Sequence, residues 1–136
     1  MKRFGIVLVA LIGLCAAYLL AHWALIEVGR EVIVLRTQEP EDGWLETRLW
    51  IVDDGAVSWL HGADSRWMHN LEARPVVEIE RAGETRRYRA EPVPCPQPRV
   101  HELLREKYGI ADRWVRFVGP DDEATKSVRL SPLEGP

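Results

Sequence analysis

Apolar residues run almost unbroken through the start of this chain and then give way to short alternations, which divides it in two. From Phe4 to Ile26, 23 residues, no formally charged side chain occurs. A bilayer core takes roughly 20 apolar helical residues, so the run predicts a spanning helix. Tyr18, His22 and Trp23 fall near one end, where amphipathic rings favour the interface. A cleaved signal peptide is the rival reading, with Cys15-Ala16-Ala17 as a small-x-small site. The apolar run continues nine residues past Ala17, longer than a signal needs, so residues 1–28 are read as an anchor and 29–136 as the domain. Lys2 and Arg3 favour a cytoplasmic N-terminus; the close-following Arg30 and Arg36 leave the face on which the domain lies open.

Beyond Gly29 the pattern becomes that of strands. Glu31 to Thr37 is rich in β-branched residues, and its run Val32 to Leu35 predicts a strand covered on both faces. After the turn-forming 38–43 segment, Leu45 to Asp53 alternates as one strand. Leu45, Thr47, Leu49 and Ile51 share one face, and Glu46, Arg48, Trp50 and Val52 the other. Asp54-Gly55 predicts a hairpin into Ala56 to His61. Asp64 or Ser65 is placed to cap a helix that turns Trp67, Met68 and Leu71 toward a core. Pro75 leads into the strand Val76 to Ala82. A Gly83-Glu84 turn would pair Val77 with Ala90 and Ile79 with Tyr88, inside, and Glu78 with Arg89 and Glu80 with Arg87, outside. Pro92, Pro94, Pro96 and Pro98 predict a stiff unpaired linker. Val100, Leu103, Leu104 and Tyr108 predict a helix ending at Gly109. A short helix or covering segment around Trp114 follows, then a closing strand, Lys126 to Leu130. The fold class is α+β, mainly β: a barrel of about six strands with short helices, preceded by one transmembrane helix.

Composition narrows the function. The net charge of −3 argues against a nucleic-acid binder. No metal-ligand spacing is present: His22, His61, His69 and His101 show no repeat, and Cys95 has no sequence neighbour to serve as partner or base. Cys15 lies in the apolar run, so no internal disulfide is expected. A phosphate loop and a nucleophile elbow are also missing from the sequence. The first turn of the helix after Gly62 offers N–H groups to an anion, and Arg66 there adds positive charge. Arg48 stands on the same strand face as Trp50, where a phosphate could reach it; the plainer reading pairs it with Glu46 or Glu31. Trp50, Trp59 and Trp67 suit either a cofactor wall or a core.

Together, Arg48, the turn His61-Gly62-Ala63, the helix Trp67-Met68-His69-Asn70-Leu71 and the strand Pro75-Val76-Val77 resemble a known group. It is the split β-barrel flavin and deazaflavin reductases, the deazaflavin-dependent nitroreductases related to pyridoxamine-phosphate oxidase. Tyr88-x-Ala90, Lys107-Tyr108-Gly109 and Val128-Arg129-Leu130 extend the resemblance over most of 31–133. It implies that Arg48, Gly62, Arg66 and Trp67 hold a deazaflavin (factor 420) or flavin mononucleotide (FMN), with Asn70 supporting the helix. It places His61 near the reactive ring as the catalytic residue, and Tyr108 and Trp114 on the substrate side. The implied activity is hydride transfer to a small hydrophobic quinone or nitroaromatic acceptor beside the lipid bilayer, and a homodimer is allowed. The alternative is a membrane-tethered, non-enzymatic barrel that has lost the cofactor. It draws on the acidic loop 38–43, whose charges would repel a polyanionic cofactor tail.

Overall fold

The computed structural model describes residues 2–134; Met1 and the end of the expected domain, Gly135 and Pro136, lie outside them. The chain forms two compact units, one up to Arg30 and one from Glu31 onward. The first is a single helix, α1 (Lys2–Glu27). Its segment Phe4–Glu27, 24 residues, is long and apolar enough to cross a membrane. Nearly every apolar side chain along it is exposed.

The second unit is a curled antiparallel sheet with three helices. Its strands are β1 (Ile33–Glu39), β2 (Gly43–Leu49), β3 (Val52–Asp54), β4 (Val57–Gly62), β5 (Val76–Arg81), β6 (Glu84–Pro94) and β7 (Lys126–Pro132). The helices are α2 (Arg66–Ala73), α3 (Pro98–Tyr108) and α4 (Ile110–Val118). The sheet order is β2-β1-β5-β6-β7-β4-β3. β2 and β3 therefore lie at opposite edges, yet only Trp50 and Ile51 separate them in sequence. Three residue steps span at most about 11 Å, so the sheet must curl until its edges nearly meet. The expected barrel of about six strands has seven. The expected strand Leu45 to Asp53 is broken at Trp50-Ile51, which gives the seventh.

Side chains of α3 hold that crossing. The buried Tyr108 hydroxyl accepts from the Ile51 N–H at 3.1 Å and donates to the Glu31 carbonyl at 2.7 Å. Lys107 donates to the Ile51 carbonyl at 2.7 Å. The crossing carries backbone groups with no ladder partner, and a buried unpaired N–H is costly. Trp50 stacks on the Tyr108 ring at 4.3 Å between centroids. Arg81, at the end of β5, ties Glu31 (2.6 Å) to Asp53 (2.8 Å). The guanidinium holds the Glu31 carboxyl below the usual range and that of Asp53 down to about 2.

Period-2 burial builds the core. Ile33, Leu35, Leu60, Val77, Ile79, Ala90, Val128 and Leu130 face inward under Trp67, Met68 and Leu71 of α2. β1 is buried on one face only; Val34 and Arg36, on the other, stay half-exposed. Its double-sided expectation is corrected accordingly.

The β5–β6 hairpin keeps the expected faces with a different register. Its turn is Ala82-Gly83, both at positive φ (51° and 79°), so Arg81 pairs with Glu84, Val77 with Tyr88 and Ile79 with Arg86. The shift from the expected pairing is two residues, which leaves every side chain on its original face. The two adjacent left-handed residues suit the tight turn, whose twist matches the strands.

The proline stretch is also corrected. β6 continues through Pro92 and Pro94, which pair with Val128 and Lys126 of β7. The reason is parity. Ala90 donates its N–H to Pro75 on the β5 side, at 2.7 Å, so Pro92 and Pro94 turn their nitrogens to that side too. β5 starts only at Val76, and no ladder bond is lost there.

Candidate functional site

Beyond the end of β4 the chain must turn sharply, and the packing there explains the residue used. A Cβ on Gly62 would sit 2.4 Å from Cζ2 of Trp67, so the α2 indole packs directly against the Gly62 backbone. Ser65 occupies the helix N-cap position without capping; its hydroxyl donates to the Ala63 carbonyl. Asp64, the other expected cap, instead meets His69 across the exposed first turn.

A cleft of about 220 Å³ opens on the other side of this turn. Its walls are Trp50, His61, Gly62, Leu104, Val115 and the loop around Pro120, with Asp112, Arg116 and Asp121 supplying charge. α4 contributes Asp112 and Arg116 one turn apart, joined at 3.0 Å, and Asp112 is buried. Arg116 also lies 3.7 Å from Asp121. The cleft is thus apolar with one cation already matched by two carboxylates.

His61 connects the cleft to a polar cluster. Its Nε2 meets Asp121 Oδ1 at 2.8 Å, and its Nδ1 lies 3.3 Å from Ser127 Oγ. His101, from α3, crosses the His61 ring edge-on at 5.1 Å. His101 Nε2 is 3.1 Å from Asp121 Oδ2 but poorly aligned, leaving this buried nitrogen without a hydrogen bond. Cys95 Sγ sits 3.8 Å from His61 Nδ1 and 3.7 Å from Ser127 Oγ. Burial raises the Cys95 thiol above its ordinary value. Burial also lowers His101, with Arg116 and His61 adding to the effect.

The expectation that Cys95 has no nearby partner is therefore corrected: the fold brings it beside His61 and Ser127. His61, Cys95, His101 and Asp121 each bring one donor atom within 4.8 Å of the others. They come from β4, the β6–α3 linker, α3 and the α4–β7 loop, so no spacing within one segment announces them. A Cys-x5-His pair at 95–101 was the sole local hint.

The remaining candidates are spread over the barrel. Arg66 is largely exposed and reaches Glu39 at 2.5 Å. Trp67 and Asn70 are buried, and Asn70 donates to Thr37 Oγ1 at 3.1 Å, joining α2 to β1. Arg48 lies on the exposed face of β2. Tyr108 is the buried pin described above. Trp114 is half-buried near Phe117, at 6.2 Å. Of the predicted set, only His61 and Gly62 line the cleft.

No family model and no curated protein matches the sequence. Solved structures do match the fold. The haem storage protein HutZ of Vibrio cholerae is 17% identical, with a TM-score of 0.57 over 79% of this chain and 84% of its own. A putative pyridoxamine 5′-phosphate oxidase of Listeria innocua is 15% identical, with a TM-score of 0.57 over 82% and 90%. A reductase dependent on reduced factor 420 is 14% identical, with a TM-score of 0.58 over 74% and 93%. Such likenesses establish architecture: the domain is a split β-barrel, the fold it shares with proteins described as a pyridoxamine 5′-phosphate oxidase and as factor-420 reductases.

Proposed function

We propose that this chain is a membrane-tethered split-barrel oxidoreductase that binds a flavin or deazaflavin and reduces a small hydrophobic quinone or nitroaromatic. The observation that carries this reading is the apolar cleft beside the His61-Gly62 turn, walled by Trp50, in a fold shared with factor-420 reductases. About 220 Å³ suits a ring but not a whole nucleotide. The cleft's cation is matched by Asp112 and Asp121, so a phosphate finds no excess positive charge inside it. The residues that fit an anionic tail are the exposed Arg48 and Arg66, outside the cleft, where a phosphate would compete with Glu39 for Arg66.

When bound, the cofactor supplies two-electron hydride chemistry. This chain's residues position and shield. Trp50 offers a flat wall held by its stack on Tyr108, and Leu104 and Val115 add apolar lining. His61 lines the cleft with its orientation set by Asp121 and Ser127, and would face a ring bound there. The anchor helix would keep the cleft near acceptors dissolved in lipid.

Titration of the detergent-purified full chain with FMN and with factor 420, followed by absorbance and fluorescence, tests this. Binding of either, weakened about tenfold or more in Arg48→Ala, is the expected result. The non-enzymatic alternative is favoured by one observation: Arg66 is engaged by Glu39, at the end of β1. A protein that binds neither cofactor would establish that alternative.

A further inference from the structure

His61, Cys95, His101 and Asp121 form a donor set that the ring-binding reading does not use as a set. Two imidazoles, a thiol and a carboxylate suit a borderline-soft divalent ion, whereas magnesium and calcium want oxygen alone. Around zinc, bond lengths of roughly 2.0–2.3 Å place tetrahedral ligand atoms about 3.3–3.7 Å apart. His61 Nε2 and Asp121 Oδ1 are already 2.8 Å apart, and His101 Nε2 and Asp121 Oδ2 3.1 Å. With one ligand atom taken from each of the four residues, no donor pair exceeds 4.8 Å. Closing the widest separation takes a shift of about 1 Å, within the reach of side-chain torsions.

Two further observations point to an ion. The buried His101 Nε2 has no hydrogen bond although it faces Asp121, so one donor of the set is unsatisfied where a metal would satisfy it. The supporting contacts are also in place. His61 Nδ1 faces Ser127 Oγ, which leaves Nε2 for a metal and fixes the ring, as metal-ligating histidines commonly require. Arg116, held by the buried Asp112, also lies 3.7 Å from Asp121 Oδ2.

We propose that His61, Cys95, His101 and Asp121 bind one zinc-class divalent ion that joins β4, the β6–α3 linker, α3 and the α4–β7 loop. With four protein ligands the site is closed and structural, and it forms one end of the cleft. Binding releases the Cys95 thiol proton and requires neutral imidazoles; no electron moves. The inference does not depend on the ring cofactor.

The test uses the chelator-treated full chain in detergent, titrated with Co²⁺ as a coloured stand-in for Zn²⁺. One equivalent should give visible bands of tetrahedral cobalt and a near-ultraviolet thiolate charge-transfer band, both removed by Zn²⁺. Cys95→Ser should abolish the charge-transfer band, and His101→Gln should weaken Co²⁺ binding about tenfold or more. Zn²⁺ should also raise the thermal midpoint of the wild type, a measurement that needs no variant. The proposal is overturned by a wild-type protein that shows neither bands nor a shifted midpoint at tenfold excess of metal. Folded Cys95→Ser and His101→Gln proteins that keep the wild-type bands would overturn it equally, since the ion would then sit elsewhere. Cobalt uptake through Cys95 by a protein that binds no flavin or deazaflavin would uphold this inference while removing the reductase reading.

Discussion

Tyr108 shows how one side chain can serve a place the sequence assigns to another purpose. The resemblance put it beside a substrate; the structure buries it and gives its hydroxyl to the Ile51 N–H and the Glu31 carbonyl. Tyr108→Phe leaves that N–H buried and unpaired, so the full chain should lose about 1–3 kcal/mol in denaturant unfolding. Burial pushes the Tyr108 hydroxyl up to about 12, above the value of about 10 in an unfolded chain. A raised folded value means the contribution is complete below pH 10 and lost as pH climbs toward 12. Wild-type stability should fall across that window, and Tyr108→Phe should show a flatter alkaline limb. Equal limbs would remove Tyr108 as the cause. Gly62 allows a second test at this scale. Gly62→Ala should cost about 1–3 kcal/mol because its Cβ meets the Trp67 indole, and Trp67→Phe in the same chain should recover part of it. The contact itself could be anticipated only as a pairing of small and large residues five positions apart; nothing local says that the indole folds back.

Among the elements, what could be read depended on whether the signal was periodic or positional. Alternation placed the inward residues of β5 and β6 correctly, because the faces survive any even shift of register. The turn position did not follow, since Gly83 can stand first or second in a two-residue turn. The structure puts it second and forces Ala82 to a φ of 51°. Ala82→Asn should therefore stabilise the chain by about 0.5–1 kcal/mol, read as a higher midpoint in thermal unfolding. An unchanged or lower midpoint would argue against the turn as described. The prolines misled for a related reason. Proline forbids one hydrogen bond, not a strand, and the composition does not reveal which neighbouring strand has already ended. The acidic pair Glu31 and Asp53 was invisible as a pair because Arg81 joins them across 50 and 28 residues. Both carboxyls are depressed, so their contribution is present above about pH 4 and lost as pH falls through the folded values. Arg81→Met should lose stability at neutral pH and lessen the decline between pH 4 and 2.

For the whole molecule, a 24-residue apolar helix followed by a unit of strands was legible because an unbroken apolar run and period-2 alternation are distinct patterns. The cluster of His61, Cys95, His101 and Asp121 was not, since it arises only when the α3–α4 pair closes over the end of β4. If α1 spans a bilayer, the wild-type chain should stay with the membrane pellet after alkaline carbonate washing. A Leu11→Arg, Leu14→Arg chain should move to the supernatant. Retention of that double variant would refute a spanning α1.

The Trp50-Ile51 crossing carries one more implication. The two outermost strands share no ladder among the described residues; covalent chain, braced by an aromatic stack and a phenol, does the fastening. A proteolytic nick between Trp50 and Ile51 would break no rung of the sheet, yet it would leave the closure of the hoop to side chains, those of Arg81, Lys107 and Tyr108 among them.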